Sequence, residues 1–452
     1  MNNSSKKIIL IFVTVCVSAS AGFGAAVLTK MVQIPTWENL QWRLDIIYQN
    51  PHSFIRHFSP TWRSLKKIGD LYYFPQTLFY KSSLPVYELT LTRSDLQLLL
   101  DSLPALTGGK PELTEDKKVS IKGTFQNGDV KTDARIRYRG VLPNHWSARK
   151  KSLNITLLDK NTGDEIRTAR LFIPEDRWWG AELLEAYRAK KFSVLTPHIE
   201  FVKLTINGHD MGVYMNIEGF DTSFLEKNNR PVGEIFSEQD IQNRPDYLRA
   251  SSLEYWQSRI DITNPYKKNL ARFLHVISET TDEEFAKELP QTLDMERMYG
   301  WMMESLLARN YHQKNLGNLN FYYNPERDIF EPIAYDMFSR ELDATYEVAE
   351  NRLVNRILQQ EIFRTEFEKR VRAYVNNPQN LKDDLAYYDT ISASIEKDIM
   401  RDTAKLPPTS LFISYTKQHR QEIINNFEKV REWLANGRLP IQFADETYPL
   451  AQ

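Results

Sequence analysis

Three features of this 452-residue chain predict an α+β fold in two lobes. Between residues 85 and 220, short apolar runs alternate with polar residues and are punctuated by Asn-Gly pairs, the strongest local hairpin signal. From residue 221 to 436 the apolar period lengthens to that of helices. That helical stretch is broken once, by two apolar runs around a turn at Pro325–Asp328. Strands first and helices afterwards is the α+β pattern, and a hydrophobic content of 42% supplies the core it needs.

The elements follow in order. Residues 1–7 precede an apolar run, residues 8–28, which has no charged residue and is long enough to span a bilayer. Lys6 and Lys7 before it favour a cytoplasmic N-terminus. The small residues Ser18–Ala21 fit a cleaved signal peptide as well, but the run continues through Gly24 to Val27, so an uncleaved signal anchor is expected. The chain is then a single-pass protein of a bacterial inner (cytoplasmic) membrane with its bulk on the periplasmic side. Residues 29–84 form a connector in which Trp37, Trp42, Tyr48, Phe54 and Trp62 suit a headgroup interface or packing on the main domain. The sole cysteine, Cys16, excludes an internal disulfide and a cysteine-based zinc site. A net charge of −1 and scattered basic residues argue against nucleic acid as a partner.

From Pro85, Val86, Leu89 and Leu91 predict a strand, and Arg93–Leu100 a helix with Ser94 as its cap. Two hairpins turn at Asn127-Gly128 and Asn207-Gly208, with a strand over Lys150–Leu158 and a helix over Gly180–Lys191 between them. Helices are then expected over 221–227, 267–280, 282–289 and 296–308, and, after the Leu319–Asp336 insert, over 347–375, 381–403 and 411–436. Residues 437–452 form a tail.

Four groups of residues carry candidate chemistry. Asn318 and Asp336 bracket the two-strand insert, so a carboxamide and a carboxylate stand at the ends of paired strands, within reach of one divalent cation. The same residue types also open and close turns. Gly140, in a turn between two strands, with Lys150 and Lys151 after it, suits phosphates or simply a solvated basic face. Glu182 and Glu185, on the helix before the second hairpin, can hold a lysine in place or face solvent. Glu218 and Asp221 lie where the second hairpin passes into the helices, suited to hydrogen-bonding a nucleotide or, for Asp221, to capping the next helix.

The stretches IRYRG with KKSLNI, FVKLTINGHDMGVYMNIEGFD, GEIFSEQD, NLNFYYNP with EPIAYD, and NRLVNRILQQEIFRTEFEKRVRAY occur in an order that resembles the CotH family, named for spore coat protein H. The resemblance covers about residues 85 to 436 and rests most on GVYMNIEGFD. It implies an atypical protein-kinase-like fold, with a β-rich N-lobe over 85–220 and a helical C-lobe over 221–436. It implies ATP with Mg²⁺ or Mn²⁺ as cofactors and phosphoryl transfer to an envelope protein or other envelope molecule. Carried over residue by residue, Lys151 or Lys150 holds the phosphates, Glu185 or Glu182 pairs with that lysine, and Asn318 (otherwise Asn320) and Asp336 hold the metal.

The departures are specific. Gln313 stands where the family has its catalytic Asp, five residues before the Asn, leaving neighbouring His312 as the group able to accept a proton. The family's RGNSSW-like loop reads Arg139–Trp146 here, and Phe338 and Arg340 occupy the region of a second Asp and a Gly. These changes imply, as the alternative, a pseudokinase that serves as a scaffold in an envelope or polysaccharide-export assembly.

Overall fold

The computed structural model describes residues 70–104, 111–147, 150–159, 162–163, 165–238, 252–261, 263–310, 312–314, 318–347 and 351–443. The predicted membrane span and most of the aromatic connector lie outside them. Among the described residues no helix is long and apolar enough to cross a membrane.

The β-rich half closes on itself. Strands β1 (Val86–Thr90), β2 (Ile121–Asn127), β3 (Val130–Tyr138), β4 (Leu153–Leu158), β5 (Glu165–Phe172), β6 (Ile199–Ile206) and β7 (His209–Glu218) form a barrel in the order β1-β2-β3-β4-β5-β7-β6. The sequence predicts a mainly antiparallel, β-rich lobe and carries no sign of its closure. Closure comes from a parallel pairing of β1 with β6, in which Val86 stands opposite Lys203. It removes both edges of the sheet. The Asn127-Gly128 hairpin pairs Asn127 with Val130, and Gly128 takes the positive φ that the turn demands. Strand β5 had no counterpart among the sequence expectations.

Helix α1 (Arg93–Asp101) is capped by Thr92, whose hydroxyl accepts from the Asp95 N–H at 3.1 Å, and not by Ser94. One residue decides this, because the cap must lie outside the first helical turn. Helix α2 (Ala181–Lys191) connects the barrel strands β5 and β6. Helix α3 (Thr222–Lys227) leads to β8 (Glu234–Glu238) and β9 (Trp256–Ser258), followed by α4 (Lys267–Ser278), α5 (Asp282–Thr292) and α6 (Met295–Leu307). The insert forms β10 (Asn320–Asn324) and β11 (Ile329–Ile333), which join β8 and β9 in a second sheet, β11-β10-β8-β9. A short parallel pair, β12 (Tyr346–Glu347) with β13 (Ile441–Gln442), ties the tail down. The closing helices are α7 (Arg352–Gln359), α8 (Glu361–Asn376), α9 (Pro378–Arg401) and α10 (Thr409–Ala435). One core runs through both halves, joining Leu184 and Met215 to Phe273, Trp301, Phe321, Ile357 and Phe427.

A buried ion pair reinforces that continuity. The Lys150 ammonium, 1% exposed, lies 2.7 Å from Asp402 Oδ2 and 3.5 Å from Glu175 Oε2. Asp402 follows α9 directly. Its carboxylate also accepts from the backbone N–H groups of Val213, Ala404 and Lys405 at 2.8–2.9 Å. Gly212 makes room for it, since a Cβ there would stand 2.1 Å from Asp402 Oδ1. The pair thus fastens the β3–β4 segment and β7 to the end of α9.

Candidate phosphate-binding site

Asn318 and Asp336 meet. Asn318 Nδ2 donates to Asp336 Oδ2 at 2.6 Å, across the mouth of the β10–β11 hairpin. Asp336 holds a left-handed backbone at φ 55°, a costly conformation for a residue other than glycine. His312 Nδ1 lies 3.3 Å from the same oxygen, and its ring stacks on Phe338 with centroids 5.2 Å apart. The His312 side chain is 47% exposed, so the cluster opens to solvent on that side.

The other carboxylate oxygen, Asp336 Oδ1, accepts from Arg177 Nη1, which also reaches Glu182 Oε2 at 3.1 Å. Arg177 was absent from the sequence expectations. Its place is set by the turn before α2, where Trp178 and Trp179 both have φ 53°. Tyr415 receives the Trp178 ring at 4.6 Å and the Trp179 ring at 5.7 Å, which holds this strained turn in place. Burial pushes the Asp336 carboxyl up, but Arg177 and His312 outweigh it and hold the group well below the usual carboxylate range. Burial raises Glu182 to about 7 against the pull of Arg177.

Two more arginines border this centre. The Arg139 guanidinium lies 3.6 Å from the centroid of the Phe172 ring and that of Arg177 4.2 Å from it. Arg170 lies 5.3 Å from the Phe220 ring and 6.0 Å from Tyr335. Arg139 Nε and Nη1 are buried without a hydrogen-bond partner. Burial lowers the Arg139 pKa to about 10. Although burial raises the Tyr335 phenol, Arg139 and Arg170 pull it below its ordinary value, which marks a strongly positive local field.

The remaining candidates occupy other surroundings. Lys150 is enclosed in the Asp402 pair, and Lys151 Nζ donates to the Trp146 carbonyl at 2.6 Å. Neither lysine pairs with a helix glutamate: Glu182 pairs with Arg177, and Glu185 with Arg188 at 2.9 Å in a fully buried set that includes Asp384. Gly140, at φ 82°, lets the His145 ring approach to where a Cβ would lie 2.2 Å away, and His145 reaches Asp176 at 3.3 Å. The altered loop is therefore folded onto the segment that carries Arg177. Glu218 accepts from the His198 N–H at 3.2 Å and pairs with Lys227, lining a cleft of about 720 Å³ with Arg167, Thr196 and Lys190. Asp221 caps α3 by accepting from the Phe224 N–H at 3.1 Å. Asn320 is buried in β10, where it accepts from Ser237.

Gln313 is fully buried, and its amide donates to Glu304 of α6. Burial, reinforced by Glu185, raises the Glu304 carboxyl well above its ordinary 4.5. Folded Glu304 holds its proton where the unfolded carboxyl has lost it, so its contribution is complete below about pH 4.5 and is lost as pH rises toward the folded pKa. Glu304→Gln is expected to flatten the fall in Tm between pH 5 and pH 8. An unchanged slope would locate the titration elsewhere.

The donor set around Asp336 does not fit a divalent cation. Both carboxylate oxygens are engaged, one by a guanidinium, and Asn318 turns its N–H₂ toward the carboxylate. Among the described residues no group of three or more His, Cys, Asp or Glu side chains gathers to hold a metal. Mg²⁺ asks for several oxygen donors, and a cation here would have to displace Arg177.

A family model described as CotH kinase protein matches residues 187–438, which include Asn318, Asp336 and His312. The inner spore coat protein H of Bacillus subtilis (strain 168) is 23% identical over 312 residues, 64% of this chain and 80% of that protein. Among solved structures, the Helicobacter pylori proinflammatory kinase CtkA aligns with 62% of this chain and 94% of its own, at 13% identity and a TM-score of 0.23.

Proposed function

The chain belongs to the CotH kinase family, and from that premise we propose that it binds ATP at the Arg139–Arg170–Asp336 centre and transfers the γ-phosphoryl group to an acceptor. The observation that carries this reading is the contact of Asn318 with Asp336 beside three arginines, a place built for a phosphate chain next to a proton acceptor. Phosphoryl transfer depends mostly on positioning and on neutralising charge, and arginines supply both. His312, oriented by Asp336, is the general base: a proton on Nδ1 directed at the carboxylate leaves Nε2 as the basic nitrogen. On this reading residues 8–28 tether the domain to a bacterial inner membrane, and the acceptor is an envelope protein or another envelope molecule.

A thermal-shift titration with ATP in the presence of Mg²⁺ and Mn²⁺, followed by a γ-phosphate transfer assay on the full chain, tests the reading. Stabilisation by ATP that weakens at least tenfold in Arg139→Met is the expected result. No shift with any nucleotide would remove the proposal. A second reading, a scaffold that binds nucleotide without chemistry, is favoured by the burial of Gln313 against Glu304, far from an acid's role. Binding without loss of the γ-phosphate would select it.

A further inference from the structure

Resting on the phosphate-site reading, we infer that this centre binds polyphosphate through its arginines and without a divalent cation. The first ground is occupancy. Arg177 already neutralises Asp336, and it does so at the carboxylate oxygen a cation would need, with Asn318 and His312 on the other. The second is surplus charge. Arg139, Arg170 and Arg177 surround Tyr335 and Asp336; of the two other acids at the centre, Glu182 is already bonded to Arg177, and Asp176 acts on Arg177 while reaching His145 at 3.3 Å. Arg259 lies near Arg170 and Tyr335 as well and adds a fourth positive group.

The third ground is unused hydrogen-bonding capacity. Arg139 buries Nε and Nη1 without a partner while its face lies on Phe172. A guanidinium stacked on an aromatic ring keeps its in-plane N–H groups for acceptors; Nε–H and Nη1 point to different sides of the group, so each is left for a separate phosphate oxygen, while Tyr335 already hydrogen-bonds the guanidinium. Buried donors without an acceptor are unfavourable, so an anion that reaches them is stabilised there. The family match begins at residue 187, C-terminal to Arg139, Arg170 and Arg177, so these groups stand outside the matched segment.

Calorimetric titration of the full chain with sodium tripolyphosphate, and separately with ATP, in EDTA and then in excess Mg²⁺, tests this. The expected result is tripolyphosphate binding in EDTA at an affinity equal to or above that in Mg²⁺. Arg139→Met and Arg170→Met are each expected to weaken it about tenfold or more. Asp336→Asn separates the alternatives by sign. It frees Arg177 and removes a negative charge, so polyphosphate binding in EDTA should tighten, whereas a metal-dependent site would lose binding. If Asp336→Asn fails to fold, the wild-type comparison of EDTA with Mg²⁺ decides alone. Tripolyphosphate binding confined to Mg²⁺, or none in either condition, overturns the inference. Tripolyphosphate binding in EDTA without ATP binding upholds it and overturns the nucleotide reading instead.

Discussion

Asp402→Ala is expected to destabilise the fold by about 3–5 kcal/mol, the usual cost of leaving one member of a buried ion pair uncompensated. Lys150 would remain in the core, 1% exposed, with Glu175 3.5 Å away as its remaining acid partner. Burial opposes ionisation of both members, but their mutual attraction prevails: it raises Lys150 and lowers Asp402. The backbone N–H groups of Val213, Ala404 and Lys405 would lose their acceptor too. The urea midpoint should fall in proportion. Lys150→Met combined with Asp402→Asn should recover most of the loss, because the pair's charges leave together, burial favours the protonated form of Glu175 once Lys150 is gone, and an amide oxygen remains for the backbone. If the double variant is no better than Asp402→Ala, the damage lies in packing and not in charge.

On the proposed phosphoryl-transfer reading, His312→Ala is expected to lower transfer by about 10²–10⁴-fold, the range for removal of a general base. Its side chain is 47% exposed, so the unfolding transition should move by less than about 1 kcal/mol. Gln313→Leu should behave in the opposite way. It strips Glu304 of its amide partner and lowers stability while the rate per folded molecule holds within a few fold. Equal rate losses in both variants would deny His312 its separate role. This pair of measurements separates the two neighbours directly, since Gln313 is turned into the core against Glu304 and His312 faces the Asp336 carboxylate.

Elements with local signals were legible in the sequence. Both Asn-Gly hairpins, the α2 helix, α9 and α10 follow from turn chemistry and period, as does the approach of Asn318 to Asp336 at the ends of β10 and β11, whereas the helix predicted over 347–375 begins in β12 and breaks at Gln360 into α7 and α8. What escaped depends on partners distant in the chain. Strand β8 is buried at all five positions, which erases the alternation that would announce a strand. Barrel closure rests on Val86 finding Lys203, a parallel pairing that leaves no local mark. The burial of Lys150 rests on Asp402, 252 residues away. Arg177 had one overlooked signal, the bulky pair Trp178-Trp179 directly after it, where a helix start usually carries small polar residues.

The same Lys150–Asp402 pair bears on how the protein is made. A ribosome adding about 5–20 residues per second needs roughly 10–50 s to pass from one partner to the other. All seven barrel strands have been synthesised by residue 218, yet Asp402, the nearer of the two acids that neutralise their buried lysine, arrives only later. Through that interval Glu175 is the acid partner already available to the lysine end of a nascent barrel. The full charge balance of that end therefore awaits the last helices.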